Sequence, residues 1–172
     1  MAYNFVDNLD KTKLYSKDPI WEKIYMEYFP TMVNMTNYNQ QLVQHQYQCS
    51  DRSLDLDNGQ RITIEEKTRF KSNEDDFLLE YEVLPKKGSP TPGWIEKPLQ
   101  CDYLVIHEAD VRKTYLFPFR FLQLAWFKNK SEWISKYKTV CIRNDFNCCP
   151  VPKHVLFTAL YSCTIINTPN ES

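Results

Sequence analysis

The chain lacks an excess of either charge: 21 Lys and Arg stand against 22 Asp and Glu, for a formal net charge of −1. That disfavours a protein that coats nucleic acid over its whole surface, while leaving room for a local basic patch. No run of about 18 apolar residues occurs, so no transmembrane helix and no membrane partner are expected. The opening residues, MAYNFVDNLDKTK, contain no secretory apolar stretch, and the expected location is the cytoplasm. Glycine is scarce, at three residues, and proline is ordinary, at ten.

C-x-x-C pairs are also missing. The six cysteines are Cys49, Cys101, Cys141, Cys148, Cys149 and Cys163. Without a leader, reduced thiols are expected rather than disulfides. Cys141, Cys148, Cys149 and His154 invite a zinc reading and, with it, a zinc-dependent interaction module. Their spacing matches no common zinc pattern, so the plain expectation is cysteines acting as small apolar residues.

What is present is a core-forming composition. Hydrophobic residues make up 42% of the 172 and aromatics 15%, which argues for a globular fold. The length suits one domain spanning 1–172.

The most informative stretch is SDRSLDLDNGQRITIEEKTRF, residues 50–70. Asp57-Asn58-Gly59 is a strong turn signal between two alternating arms. A two-residue loop would set the leucines opposite Thr63 and Arg61, leaving neither face apolar. A three-residue loop with Gly59 left-handed pairs Leu56 with Gln60, Leu54 with Ile62 and Arg52 with Ile64. That register gathers Leu54, Leu56, Ile62 and Ile64 on one face. Because a one-residue slip would turn a whole apolar set outward, the second register is expected. It also brings Asp51 opposite Glu65, with Lys67 two residues further along the same side.

Elsewhere the pattern is coarser. Asp18-Pro19 starts a helix with Trp21, Ile24, Tyr25 and Tyr28 as its buried stripe. Residues 31–50 fit helix or loop equally. Phe77–Val83 reads as a strand, 85–93 as a loop, Cys101–His107 as a buried strand, Glu108–Lys113 as a charged connection and Thr114–Phe117 as another strand. Phe119–Tyr137 reads as a long helix with Phe121, Leu122, Ala125, Trp126, Trp133 and Tyr137 inward. Residues 144–152 read as loop, and 152–163 as a helix burying Val155, Leu156, Ala159 and Leu160. Lys128, Lys130, Lys136 and Lys138 suit either a solvated helix end or a phosphate contact. The expected class is α/β or α+β, with a central mixed β-sheet flanked by helices.

Two carboxylates converging on a strand pair suit Mg²⁺ or Mn²⁺, which take oxygen ligands, water and substrate phosphate. Asp51 and Glu65 supply the carboxylates, and the backbone carbonyl of Glu66 is a third candidate ligand. A lysine at position 67 would orient the attacking water or offset charge in the transition state. The competing reading is a surface Glu-x-Lys ion pair. Asp55 and Asp57 rival Asp51 as the site aspartate. Glu80, on the third strand, is a supporting candidate, with a half-exposed strand charge as its alternative.

Several segments, taken in order, resemble the PD-(D/E)XK nuclease superfamily, and in particular small phage-encoded proteins carrying its signature. They are DPIWEKIYMEYFP (18–30), the approach from Gln46 to Asp51, ITIEEKTRF (62–70), DFLLEYEV (76–83), GWIEK (93–97), DYLVIH (102–107), YLFPF (115–119) and Ala125-Trp126. The resemblance covers most of the chain and departs from the pattern in having Ser50, not proline, before Asp51. It implies a restriction-endonuclease-like core in which Asp51 and Glu65 bind metal and Lys67 assists the water. It adds Glu22 and Gln46 as accessory residues. The implied activity is Mg²⁺-dependent endonuclease cleavage of DNA, including branched DNA, by a chain that analogy makes a homodimer. The alternative is a catalytically silent phage protein of this fold that binds nucleic acid or a host protein.

Overall fold

Gly59 adopts φ +81°, a left-handed conformation that costs glycine little, and the turn it closes sets the register of the hairpin. The computed structural model describes residues 14–38, 50–70, 75–98 and 101–163. Strands β2 (Arg52–Leu56) and β3 (Arg61–Arg69) run antiparallel, with Arg52 opposite Ile64 and Leu54 opposite Ile62. Leu56 N donates to Gln60 O at 2.9 Å, and Gly59 N to Leu56 O at 3.0 Å. This is the three-residue loop expected from the face-sorting argument. Asn58 Oδ1 helps by accepting from Gln60 N at 2.9 Å.

The chain divides into two compact units, Met1–Ser72 with Gln100–Leu116, and Asn73–Leu99 with Phe117–Ser172. In the first, the helix α1 (Ile20–Tyr28) accompanies β1 (Met32–Asn37), β2, β3, β6 (Tyr103–Glu108) and β7 (Lys113–Pro118). The strands form one sheet in the order β1-β2-β3-β6-β7. β1 and β2 are antiparallel, whereas β3 and β6 are parallel, so the sheet is mixed. Asp102 fastens the start of β6 to β3: its Oδ2 accepts from both Thr63 N and Thr63 Oγ1 at 2.8 Å.

The helix starts one residue later than expected, with Pro19 rather than Asp18 at the N-cap position; Asp18 Oδ1 still accepts from Ile20 N at 2.9 Å, which satisfies one of the amides a helix start leaves unpaired. Trp21 and Tyr25, one turn apart, are fully buried against Leu54, Ile64 and Val105. Tyr28 departs from the expected stripe. It is 41% exposed, and its hydroxyl donates to Thr114 O at 3.0 Å, using the polar tip of an amphipathic side chain. The undecided stretch contains β1, and its residues 39–49 lie outside the described ones.

The second unit holds the sheet β5-β4-β9-β8 and two helices. Its strands are β4 (Asp76–Val83), β5 (Thr91–Pro92), β8 (Val140–Ile142) and β9 (Phe146–Pro152), and its helices α2 (Phe119–Tyr137) and α3 (Lys153–Cys163). Strands expected to share one central sheet thus form two. β9 corrects the loop expected over 144–152. Proline normally avoids paired strands, but β8 pairs only with residues 146–148 of β9, so Pro150 and Pro152 face a neighbour on the β4 side alone. Arg143 and Asn144 turn the chain at φ 55° and 58°.

Helix α2 has the expected span, and Leu122, Ala125, Trp126 and Trp133 are buried. Phe121 instead is 41% exposed, and Phe119 is buried in its place. In α3 only Leu156 is fully buried. Gly93 lies against the β4 backbone: a Cβ there would stand 2.4 Å from Glu80 O. The coarse class is therefore α+β with a mixed sheet. Among the described residues no helix is long and apolar enough to cross a membrane.

Candidate functional site

Side chains alternate along β3. Ile64 belongs to the core beneath α1, so Glu66 shares that face, while Glu65 and Lys67 project from the other. The parallel ladder sets Glu65 beside Leu104 and Lys67 beside Ile106, and both neighbours are buried. Lys67 Nζ donates to Glu65 Oε1 at 2.5 Å, with the two side chains 35% and 15% exposed. Glu65 is thus largely covered, while about a third of the Lys67 side chain meets solvent.

Asp51 lies at the edge of this pair. The paired register of the hairpin ends at Arg52 and Ile64. Asp51 N then donates to Ile64 O at 2.8 Å, and Asp51 Oδ2 accepts from Glu66 N at 2.7 Å. Asp51 was expected to face Glu65. Its carboxylate instead meets the amide one residue further on, at the peptide that joins Glu65 to Glu66. The bend replaces a regular ladder contact with a charge-assisted bond from side chain to backbone.

The rival aspartates have other partners. Asp55 accepts from Arg61 Nε at 2.7 Å and from Asn34 Nδ2 at 3.0 Å. The Arg61 and Asn34 bonds hold its carboxyl below the usual carboxylate range. Asp57 is exposed in the turn, where its N–H donates to Thr31 O at 2.9 Å.

Glu22 is exposed in the first turn of α1, a helix that packs on the sheet face opposite Glu65 and Lys67. That position suits complementing the helix dipole. Gln46 lies outside the described residues. Glu80 belongs to the second unit, on β4 opposite Cys148. Glu66 is tied to Asp51 through its amide, and it pairs with Val105 in the ladder.

Sequence reasoning valued Glu66 only for its carbonyl and passed over its side chain. That carboxylate is buried on the core face, where Tyr25 Oη donates to Glu66 Oε1 at 2.6 Å and Arg52 Nε donates to the same oxygen. Burial pushes the Glu66 carboxyl up to about 7 against the pull of Arg52 and Tyr25. Burial likewise raises the Tyr25 hydroxyl well above its ordinary value. A signal was available: the chosen register puts Arg52 opposite Ile64, a charge among leucines and isoleucines. Glu108 was also missed. Expected in a charged connection, it ends β6 fully buried opposite Arg69.

Among the described residues, no group of three or more His, Cys, Asp or Glu side chains gathers as a metal site. Asp51, whose carboxylate binds the Glu65–Glu66 peptide, and Glu65, whose carboxylate binds the Lys67 ammonium, are two hard oxygen donors. This donor set fits Mg²⁺, which uses one or two carboxylates and completes its shell with water and phosphate. The cysteines fit zinc poorly. Burial, with some help from Asp76, pushes the Cys149 thiol up to about 11, and zinc takes the thiolate. No family model, no curated protein and no solved structure matches this chain.

Proposed function

We propose that the chain is a Mg²⁺- or Mn²⁺-dependent nuclease with a restriction-endonuclease-like core, cleaving DNA phosphodiester bonds through Asp51, Glu65 and Lys67. The observation that carries this reading is the convergence of the Asp51 carboxylate on the Glu65–Glu66 peptide, beside a half-buried Glu65–Lys67 pair. The order of helix, antiparallel hairpin and parallel strand in the first unit supports it.

In this mechanism Asp51 and Glu65 would hold the cation, and through it the scissile phosphate, where the β2–β3 ladder ends. The cation would supply Lewis acidity toward the phosphate and a lowered pKa for a bound water. Glu66 N keeps Asp51 in place by donating to Oδ2. Glu65 Oε1 holds Lys67 Nζ on the same face, where the ammonium orients the attacking water and offsets charge gathering on the phosphoryl oxygens. In-line attack by the water oxygen then forms one P–O bond as the bond to the leaving oxygen breaks, giving a phosphomonoester and a hydroxyl, with protons exchanged through solvent and no covalent enzyme intermediate.

The test is cleavage of linear, supercoiled and branched DNA in Mg²⁺ or EDTA. Wild type cuts at least one substrate in Mg²⁺ and none in EDTA, and Lys67→Ala lowers the rate by about 100-fold or more. Cleavage that persists in EDTA, or that Lys67→Ala leaves unchanged, contradicts the assignment. The near-zero net charge favours a second reading, since DNA grooves usually carry excess Lys and Arg. In that reading the chain is a silent member of the fold that binds nucleic acid or a host protein, and absence of cleavage on every substrate supports it.

A further inference from the structure

We infer that Arg52, Glu66 and Tyr25 form a buried clasp that positions Asp51 against the Glu65–Lys67 segment for cation binding, an inference that rests on the nuclease reading of that site. Arg52 is the residue after Asp51, and Glu66 stands between Glu65 and Lys67. Because Arg52 faces Ile64, Glu66 is its diagonal neighbour across the strands, within reach of a long side chain. The two are ion-paired with side chains only 2% and 5% exposed.

The clasp is tied down on several sides. Tyr25 Oη reaches Glu66 Oε1 from α1 at 2.6 Å. Arg52 Nη2 donates to Ser16 O, Nη1 lies 3.8 Å from Met35 Sδ, and the guanidinium stands 5.5 Å from the Trp21 ring centroid. Arg52, which follows Asp51, and Glu66, which separates Glu65 from Lys67, are thus both anchored on the core face.

A buried ion pair is a poor device for stability alone, because a well-packed apolar pair often does as well or better. This one sits where the hairpin ladder stops, and it contributes direction. Holding the Glu66 side chain fixes the direction of the Glu66 amide at the start of β2, and that amide holds Asp51 Oδ2 at 2.7 Å. The clasp works on one face and the site on the other, linked through the backbone of a single residue. The side chains of Arg52, Glu66 and Tyr25 are positioning groups and touch neither cation nor substrate.

The test compares the ¹⁵N-labelled full chain with the double variant Arg52→Met/Glu66→Leu and with Tyr25→Phe. Three quantities are read: the thermal midpoint, amide exchange at residues 54 and 66 in metal-free protein, and Mn²⁺ affinity by calorimetry. In the double variant the thermal midpoint and the Leu54 amide stay near wild type. The residue-66 amide exchanges about tenfold faster, and Mn²⁺ binds about tenfold more weakly, the loss typical when a group supporting a ligand is removed. Tyr25→Phe moves both readouts the same way by a smaller factor, and it decides the matter if the double variant does not fold. Wild-type exchange at residue 66 and Mn²⁺ affinity within twofold in the folded variants would overturn the clasp. A wild-type chain that binds no Mn²⁺ overturns the cation reading instead, and the residue-66 amide then still decides whether the clasp holds Asp51.

Discussion

Asp51 and Asp55 stand four residues apart on the same arm, and their surroundings separate them. Asp55 spends both oxygens on Arg61 and Asn34, a local ion pair of the kind that adds little to stability. Asp51 spends one oxygen on a backbone amide. At the same scale His107 carries a pH signature. It is 1% exposed, its Nε2 lies 2.9 Å from Tyr15 Oη and its Nδ1 2.8 Å from Thr114 Oγ1. Burial lowers its pKa below the ordinary imidazole value, outweighing the nearby acids Asp18 and Glu108. The unfolded chain therefore takes up this proton first on acidification. The stability tied to neutral His107 is present above about pH 6.5 and is lost as pH falls through the folded value. An NMR titration of the imidazole is expected to give a midpoint below about 6.5, and a midpoint at or above that value would contradict the assignment of a desolvated neutral ring.

At the scale of elements, the hairpin was the most legible part of the chain, because one requirement decided it. Only one register puts Leu54, Ile62 and Ile64 together, and the left-handed Gly59 follows from it. The two hairpin-associated and close-packed glycines now give a ranked prediction. Gly59→Ala meets open space but a strained φ, at a cost of about 1 kcal/mol. Gly93→Ala places its Cβ against the carbonyl and carbon of Glu80, backbone atoms that cannot swing aside, and costs more. Urea denaturation of both variants checks the order, and equal costs would count against the close approach. Less legible were the ends of the arms. Asp51's bend depends on a side-chain bond to the backbone that alternation does not encode. β9 was hidden by two prolines, whose tolerance depends on the neighbouring strand β8 being short. Phe119 and Phe121 exchanged roles because a helix start fixes its own phase.

At the scale of the whole molecule, composition indicated a folded chain and the order of elements an α/β or α+β class, and the mixed sheet and helices agree with the latter. Composition did not reveal that the strands divide between two sheets, since partner choice depends on contacts between residues far apart in sequence. The first unit illustrates this: β6 joins β3 across more than thirty residues, pinned by Asp102 to Thr63. The shared face of Glu65 and Lys67 was legible for the same reason as the hairpin, whereas the placement of Asp51 and the core-face charges beneath it were not. Arg52 and Glu66 looked like ordinary strand charges until α1 brought Tyr25 to them. The central claim is that the end of the β2–β3 ladder, and Asp51 within it, holds the cation for cleavage. The most direct measurement is the Mg²⁺-dependent rate on whichever DNA wild type cuts best, compared between Asp51→Asn and Asp55→Asn. The account predicts a loss of about 100-fold or more for Asp51→Asn and a rate within about threefold of wild type for Asp55→Asn. A chain that keeps its rate as Asp51→Asn and loses it as Asp55→Asn would contradict the account.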